Sequence, residues 1–274
     1  MTDFVVEGVG LTVAYGRRTA LRDCDVAVSA GTITALVGPN GSGKSTLLSV
    51  IAGLVPLTSG ELRVFGRRPG HNGLAARVAY VLQSTPANAS LPITVREVVT
   101  MARFARRGLF GRLTADDRRV VDHALELLDV TELADRHLRE LSGGQRQRVL
   151  VAQGLAQQAD LLLLDEPVTG LDLTSRERIL SVVEEVRESG STVVVATHDL
   201  ADAERADHVM LLAGGVVAAG SPQEVITAEH LRQAYGGRPF GDGQAPALAH
   251  VDEHVHAGGV ESRDLRGGTR PRQS

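Results

Sequence analysis

Apolar and polar residues alternate over 4–13 and again over 20–28, on either side of the turn Gly16-Arg17-Arg18. That period of two predicts a pair of strands, each with one buried face. Residues 32–37 are a short apolar run, as expected of a strand covered on both faces. The spacing then changes, and Leu47, Leu48, Ile51 and Leu54 fall on one side of a helix predicted over 46–53. Further strands are expected at 62–65 and 78–82. From about residue 84 to 159 the strand pattern stops, and 94–105, 114–128 and 143–157 carry helical periodicity. Strands return at 160–164, 192–196, 207–212 and 216–218. A helix over 174–188 and a short one from Asp199 separate them, and helices at 221–226 and 228–235 close the pattern. Strands alternating with helices imply a mainly parallel sheet. The expected fold class is α/β: a mainly parallel core, an N-terminal antiparallel β subdomain, and a helical subdomain inserted at about 84–159. This single domain spans 1–235. From 236 to 274 Gly, Pro, His, Asp and Arg replace the periodicity, which predicts a disordered tail.

Composition removes several functional classes. The 274 residues carry a net charge of -4, without the basic stripe of a nucleic-acid binder. Aromatic residues make up only 3%, too few for platforms that stack single-stranded bases, so no nucleic-acid partner is expected. No apolar run approaches the roughly 20 residues needed to cross a bilayer. Met1-Thr2-Asp3-Phe4 shows no signal-peptide pattern, and the lone Cys24 fits a reducing cytoplasm as a small strand residue.

Between the strand at 32–37 and the following helix lies Gly38-Pro39-Asn40-Gly41-Ser42-Gly43-Lys44-Ser45-Thr46, a complete G-x-x-x-x-G-K-[ST] loop. Its glycines let backbone N–H groups turn inward around phosphates, and the helix adds its positive end. Of 29 basic residues Lys44 is the only lysine; all the others are arginine. A compact ammonium on a flexible stem reaches β- and γ-phosphates where a planar fork is too wide. Ser45 offers a hydroxyl to Mg2+. The apolar run 161–164 ends in Asp165-Glu166, at the kind of strand terminus where open α/β sheets bind ligands. Asp165 is placed to hold Mg2+ and Glu166 to activate an attacking water. His198 follows the apolar strand 192–196, and Gln83 ends the strand 78–82; from there they can reach a γ-phosphate, its Mg2+ or the water. Taken alone, either reads as structural.

Leu141-Ser142-Gly143-Gly144-Gln145 reads by itself as a Ser-capped helix start whose glycines admit an anion. With Tyr15, the Gly38–Thr46 loop and Gln83 before it, and Asp165-Glu166, Gly170-Leu171-Asp172 and His198 after it, in that order, it resembles ATP-binding cassette (ABC) ATPases from about Phe4 to Tyr235. The resemblance implies a P-loop NTPase core in which two cassettes pack head to tail. ATP then lies between the loop of one copy and Ser142-Gly143-Gly144-Gln145 of the other. It implies that Tyr15 stacks on adenine, Glu166 is the catalytic base, and His198 positions γ-phosphate and water. It also implies that Asp172 belongs to a loop crossing to the partner. ATP and Mg2+ are the expected cofactors. Expected partners are a second copy, integral membrane permease subunits and, indirectly, an extracytoplasmic substrate-binding protein. The expected location is the cytoplasmic face of the membrane. Gly170 stands where many members have Ala, and Gln153 interrupts an Ala-Arg-Ala-Leu run. Tyr15-Gly16, Gly38–Leu48, Leu161–Asp172 and Ala219-Gly220-Ser221-Pro222 look most like the ATPases of manganese and zinc importers; a siderophore importer, an exporter or a non-transport clamp are the alternatives. In the tail, His250, Asp252, His254 and His256 are borderline metal ligands, read as either a chelating run or a solvated segment.

Overall fold

The structure is a computed structural model that describes residues 4–83, 92–108 and 111–236, all within one compact unit. The expected tail beyond Gly236, with its His250–His256 run, and the expected subdomain start at Ser84 lie outside the described residues.

Strands β1 (Phe4–Tyr15) and β2 (Arg18–Ser29) form an antiparallel hairpin, and β4 (Ser59–Val64) pairs antiparallel with β1 on its other side. The alternation works as read: Val6, Leu11, Val13, Leu21, Cys24, Val26 and Val28 are buried in one cluster. A second sheet has the order β5-β6-β7-β3-β8-β9. Its members are β3 (Ile33–Val37), β5 (Val78–Val81), β6 (Leu161–Asp165), β7 (Thr192–Thr197), β8 (His208–Leu212) and β9 (Val216–Gly220). The pairs β5–β6, β6–β7, β7–β3 and β3–β8 are parallel, and only β9 runs antiparallel. Every residue of β3, β6 and β7 is buried, as unbroken apolar runs require when both faces are covered.

Helix α1 (Lys44–Ile51) starts two residues earlier than expected and buries Leu47, Leu48 and Ile51. Leu54, expected on the same face, is instead 65% exposed. The helix has already ended, and Gly53, at φ 75, turns the chain against Gly70, where a Cβ would stand 2.5 Å from the Gly70 nitrogen.

The helix expected over 94–105 is two: α2 (Val95–Met101) and α3 (Phe104–Arg107). Between them the Ala102 and Arg103 N–H groups donate to Val99 and Thr100, three residues back, and the tightened turn breaks the rod. Helices α4 (Ala115–Leu127) and α5 (Gly143–Ala156) complete the segment before β6. Arg103 is buried there. Its Nε donates to Asp117 Oδ1 at 2.9 Å, and its Nη1 donates to the Ala156 carbonyl at 2.6 Å, tying α4 to the end of α5. Arg107 reaches the same carboxylate from the surface, at 37% side-chain exposure. The Thr114 backbone N–H, then the Thr114 hydroxyl and the two guanidiniums, hold the Asp117 carboxyl well below the usual carboxylate range against the opposing effect of burial.

This contribution to stability is full above the unfolded pKa of about 3.9 and is lost as pH falls towards the lower folded value. Arg103→Met is therefore expected to lower the melting temperature at pH 7 by at least about 6 °C, because it strips a buried carboxylate of its buried partner. Arg107→Met is expected to lower it less. Thermal melts at neutral and acid pH check both, and the Arg103 effect shrinks as Asp117 becomes protonated.

Two contacts fix α5 against the sheet. Gln157 donates through Nε2 to the Ala75 and Val78 carbonyls, both at 2.8 Å. Gly154 lies so close to β5 that a Cβ would stand 2.4 Å from Val81 Cγ2. The remaining helices are α6 (Leu173–Glu188), α7 (Leu200–Ala203), α8 (Pro222–Val225) and α9 (Ala228–Tyr235).

Candidate active site

Parallel register gathers the motif residues. Val37 is level with Thr197, Asp165 with Ala196, and Val81 with Leu164. The C-terminal ends of β3, β6, β7 and β5 thus deliver the glycine-rich loop, Asp165-Glu166, His198 and Gln83 to one edge.

Two glycines in the loop are sterically required. A Cβ on Gly38 would stand 2.2 Å from the Leu212 carbonyl oxygen; one on Gly43, at φ 107, would stand 2.4 Å from Leu21 Cδ2. The Pro39 carbonyl accepts the Ser42 N–H at 3.1 Å and closes the turn, leaving Asn40 and Gly41 exposed at its tip. Gly43 is the N-cap of α1 and supplies no side-chain acceptor. The first-turn N–H groups at Lys44, Ser45 and Thr46 consequently lack intrahelical acceptors and suit an anion. Ser42 Oγ is buried without a hydrogen-bond partner among the described residues, a further polar atom inside the loop.

Lys44 is 5% exposed, and its Nζ donates to the Gly38 carbonyl at 2.7 Å and the Pro39 carbonyl at 3.3 Å. Burial lowers its pKa, while Glu166 and Asp165 pull it back up. Ser45 Oγ donates to Asp165 Oδ1 at 3.0 Å. The other oxygen, Oδ2, accepts from the Tyr80 hydroxyl at 3.2 Å. Burial raises the Asp165 pKa, against these two hydrogen bonds, and pushes Tyr80 up to about 12. Hydroxyl and carboxylate are hard oxygen donors, and the Ser45–Asp165 pair fits Mg2+.

Glu166 adopts φ 48, in the left-handed region that a non-glycine residue enters only at some cost. Its N–H donates to the Ala196 carbonyl at 3.0 Å, which pins the twist. The twist aims the carboxylate so that Oε2 accepts from Thr169 Oγ1 at 3.2 Å and Gln83 Nε2 at 3.5 Å, with His198 Nδ1 at 3.7 Å. A carboxylate, an imidazole and an amide thus converge at the sheet edge that carries the glycine-rich loop.

Tyr15 ends β1 at the hairpin with its ring half exposed, free to face a base. Neighbouring Arg18 extends over the loop; its guanidinium lies 3.4 Å from where a Gly41 Cβ would be. Ser142 caps α5, accepting the Gln145 N–H at 3.2 Å, while Gln145 Oε1 accepts the Ser142 N–H at 3.0 Å. Space around Gly143 is open, whereas a Cβ on Gly144 would stand 2.8 Å from Asp172 Oδ2 and from Ser175 Oγ. Gly144 therefore has a packing reason in addition to anion access. Asp172 caps α6 through Oδ1, which accepts the Ser175 N–H at 2.9 Å. Among the described residues no hydrogen bond joins Ser142 or Gln145 to the Lys44–Asp165–Glu166 group. The sequence reading missed Arg18, Tyr80 and Thr169. Tyr80 looks like core from its apolar strand, and its partner Asp165 lies 85 residues away.

A phosphate-binding loop facing a carboxylate pair on one edge of a parallel sheet defines a nucleotide hydrolase of the P-loop class. A family profile described as ABC transporter matches residues 21–169. The zinc transport system ATP-binding protein TroB of Treponema pallidum is 41% identical over 238 residues, covering 86% of this chain and 89% of that protein. The manganese transport system ATP-binding protein MntA of Synechocystis is 38% identical over 239 residues, 87% and 92% of the two chains. Among solved structures, a metal-chelate-type ABC transporter in an inward-facing conformation superposes with a TM-score of 0.73 at 28% identity, over 85% of this chain and 90% of that one. A dimeric ATP-binding cassette bound to ADP and Pi gives 0.69 at 27% identity, over 79% and 98%. The chain belongs to the ABC transporter family, as an ATP-binding and ATP-hydrolysing cassette. Such cassettes dimerise and work with membrane permeases. No helix among the described residues is long and apolar enough to cross a membrane.

Proposed function

We propose that this cassette energises the import of a divalent first-row metal ion, of the manganese or zinc kind, through separate permease subunits fed by an extracytoplasmic binding protein. The observation that carries this reading is similarity along most of the chain to cassettes named for zinc and manganese transport. Two copies of the chain bind ATP between the Gly38–Thr46 loop of one and Ser142–Gln145 of the other, with Asp172 at the shared interface. Through the permease, the dimer sits on the cytoplasmic face of the membrane.

The residues divide the work. Tyr15 stacks on adenine, and the loop N–H groups with Lys44 hold the β- and γ-phosphates. Ser45, Asp165 and Gln83 are the side chains that would hold Mg2+. When bound, Mg2+ neutralises charge on the β- and γ-phosphate oxygens. Glu166 accepts a proton from the attacking water as its oxygen bonds to the γ-phosphorus. The bond to the β–γ bridging oxygen breaks, giving ADP and phosphate, while His198 orients the γ-phosphate and the water.

Radiolabelled manganese and zinc uptake in a deletion strain tests the cargo. Uptake of one of the two metals is expected to fall on deletion, to return with the wild-type gene, and not to return with a Lys44→Ala copy. Unchanged uptake of both metals on deletion would overturn the metal assignment.

A further inference from the structure

We propose that Arg176 is the positioning residue that holds His198 against the reacting phosphate, by clamping the loop after β7 to the first turn of α6. The proposal rests on the reading of His198 given above.

Arg176 lies one turn into α6, and its N–H donates to the carbonyl of the N-cap, Asp172, at 3.0 Å. The helix start, capped in addition by the Asp172 side chain, is a fixed base. From it the guanidinium Nη2 donates to Asp199 Oδ2 at 2.7 Å and to Asp202 Oδ1 at 2.6 Å. Asp199 is the residue directly after His198. Its N–H donates to Thr197 Oγ1 at 3.0 Å, and its Oδ1 caps α7 through the Ala201 N–H at 2.9 Å. The peptide on the C-terminal side of His198 is therefore held by the end of β7, by α7 and by α6.

The α6 hold rests on the Arg176 side chain alone. It is charge-assisted on both acids, and the Asp202 side chain is only 5% exposed, so water competes poorly for it. On its other side His198 follows Thr197, which is level with Val37 immediately before the glycine-rich loop. The imidazole, 3.7 Å from Glu166 Oε2, is thus set between the phosphate loop and α6. With the clamp released, Asp199 keeps its cap on α7, but the imidazole loses its fixed distance to Glu166. A misplacement of about 1 Å costs on the order of 10²-fold in rate when geometry carries the catalysis.

Steady-state ATP hydrolysis by the purified full-length chain tests this, with Arg176→Ala, Arg176→Lys, His198→Ala and the Arg176→Ala/His198→Ala double variant. Arg176→Ala is expected to lower kcat by about tenfold or more with KM for ATP within about twofold, the signature of a lost transition-state contact. Arg176→Lys, which keeps a donor to Asp199, is expected to recover part of that loss. In the His198→Ala background, Arg176→Ala is expected to cost nothing further. Should Arg176→Ala melt below the assay temperature, Asp199→Asn, which retains the cap but loses the charge facing Arg176, is expected to show the same kcat loss and the same silence in the double variant. A full multiplicative loss in the double variant, or wild-type kcat in Arg176→Ala, overturns the proposal. Wild-type kcat in His198→Ala instead overturns the underlying reading of His198, a result distinct from either.

Discussion

Lys44→Ala is expected to lower ATP turnover by at least about 10²–10³-fold, the range found when a preorganised group facing transition-state charge is removed. The amine already stands inside the loop. Its Nζ rests on the Gly38 and Pro39 carbonyls inside the loop that would wrap the phosphates, and the side chain is 5% exposed. Little reorganisation separates that position from a β–γ phosphate contact. The carboxylates of Asp165 and Glu166 also act on it, so the ammonium balances negative groups of the protein as well as those of the nucleotide. Alanine leaves the N–H groups at the start of α1 in place, so ADP and ATP still bind, only more weakly. The loss in kcat/KM is then expected to exceed the loss in ADP affinity.

Lys44→Arg separates charge from shape. The guanidinium keeps the charge but is planar and wider, and turnover is expected to stay within about tenfold of the alanine variant. Alanine also leaves Asp165 and Glu166 without the ammonium that balances them, so the melting temperature without nucleotide is expected to fall somewhat, and the diagnostic reading is the further shift on adding ATP. Added ATP stabilises the wild type by about 2.7 kcal/mol at a hundred times Kd, and most of that shift is expected to vanish in Lys44→Ala at the same ATP concentration. Phosphate release within tenfold of wild type would remove Lys44 from the site.

The legible and illegible parts of this molecule differ in the range of the contacts behind them. Strands β3, β6 and β7 were readable because full burial on two faces demands an unbroken apolar run, a local signal. The motif residues were readable because backbone geometry fixes them: glycines where a Cβ would strike Leu212 or Leu21, acids at a strand terminus. The break between α2 and α3 was not: at the tightened turn Arg103 points inward to a carboxylate 14 residues later and to a carbonyl 53 residues later, contacts no local pattern records. Gly144 shows the same limit in a motif. Its place in the signature suggested only anion access, whereas the start of α6 packs against it.

Glu166→Gln is expected to stop hydrolysis while leaving ATP bound, so that a dimer accumulates. Glutamine has the same shape and keeps an oxygen to accept from Thr169 and Gln83, so the backbone at φ 48 and the convergence with His198 have no reason to relax. It cannot accept the proton of the attacking water. A positioned general base contributes about 10²–10⁴-fold, and kcat is expected to fall within that range. Binding energy at both composite sites is untouched, because none of the groups assigned to hold the phosphates is altered. The ATP-bound dimer therefore forms as before but no longer escapes through phosphate loss. Size-exclusion chromatography with Mg2+ and ATP is expected to show the dimer for Glu166→Gln and mostly monomer for the wild type, which turns over during the run. Adding Ser142→Ala to Glu166→Gln is expected to return the protein to monomer if the serine that caps α5 is, as proposed, the second half of each site. Dimer persisting in that double variant would mean that Ser142 does not meet the nucleotide across the interface. A Glu166→Gln protein that stays monomeric with ATP, or hydrolyses it at a tenth of the wild-type rate or faster, would mean that the catalytic base is another residue.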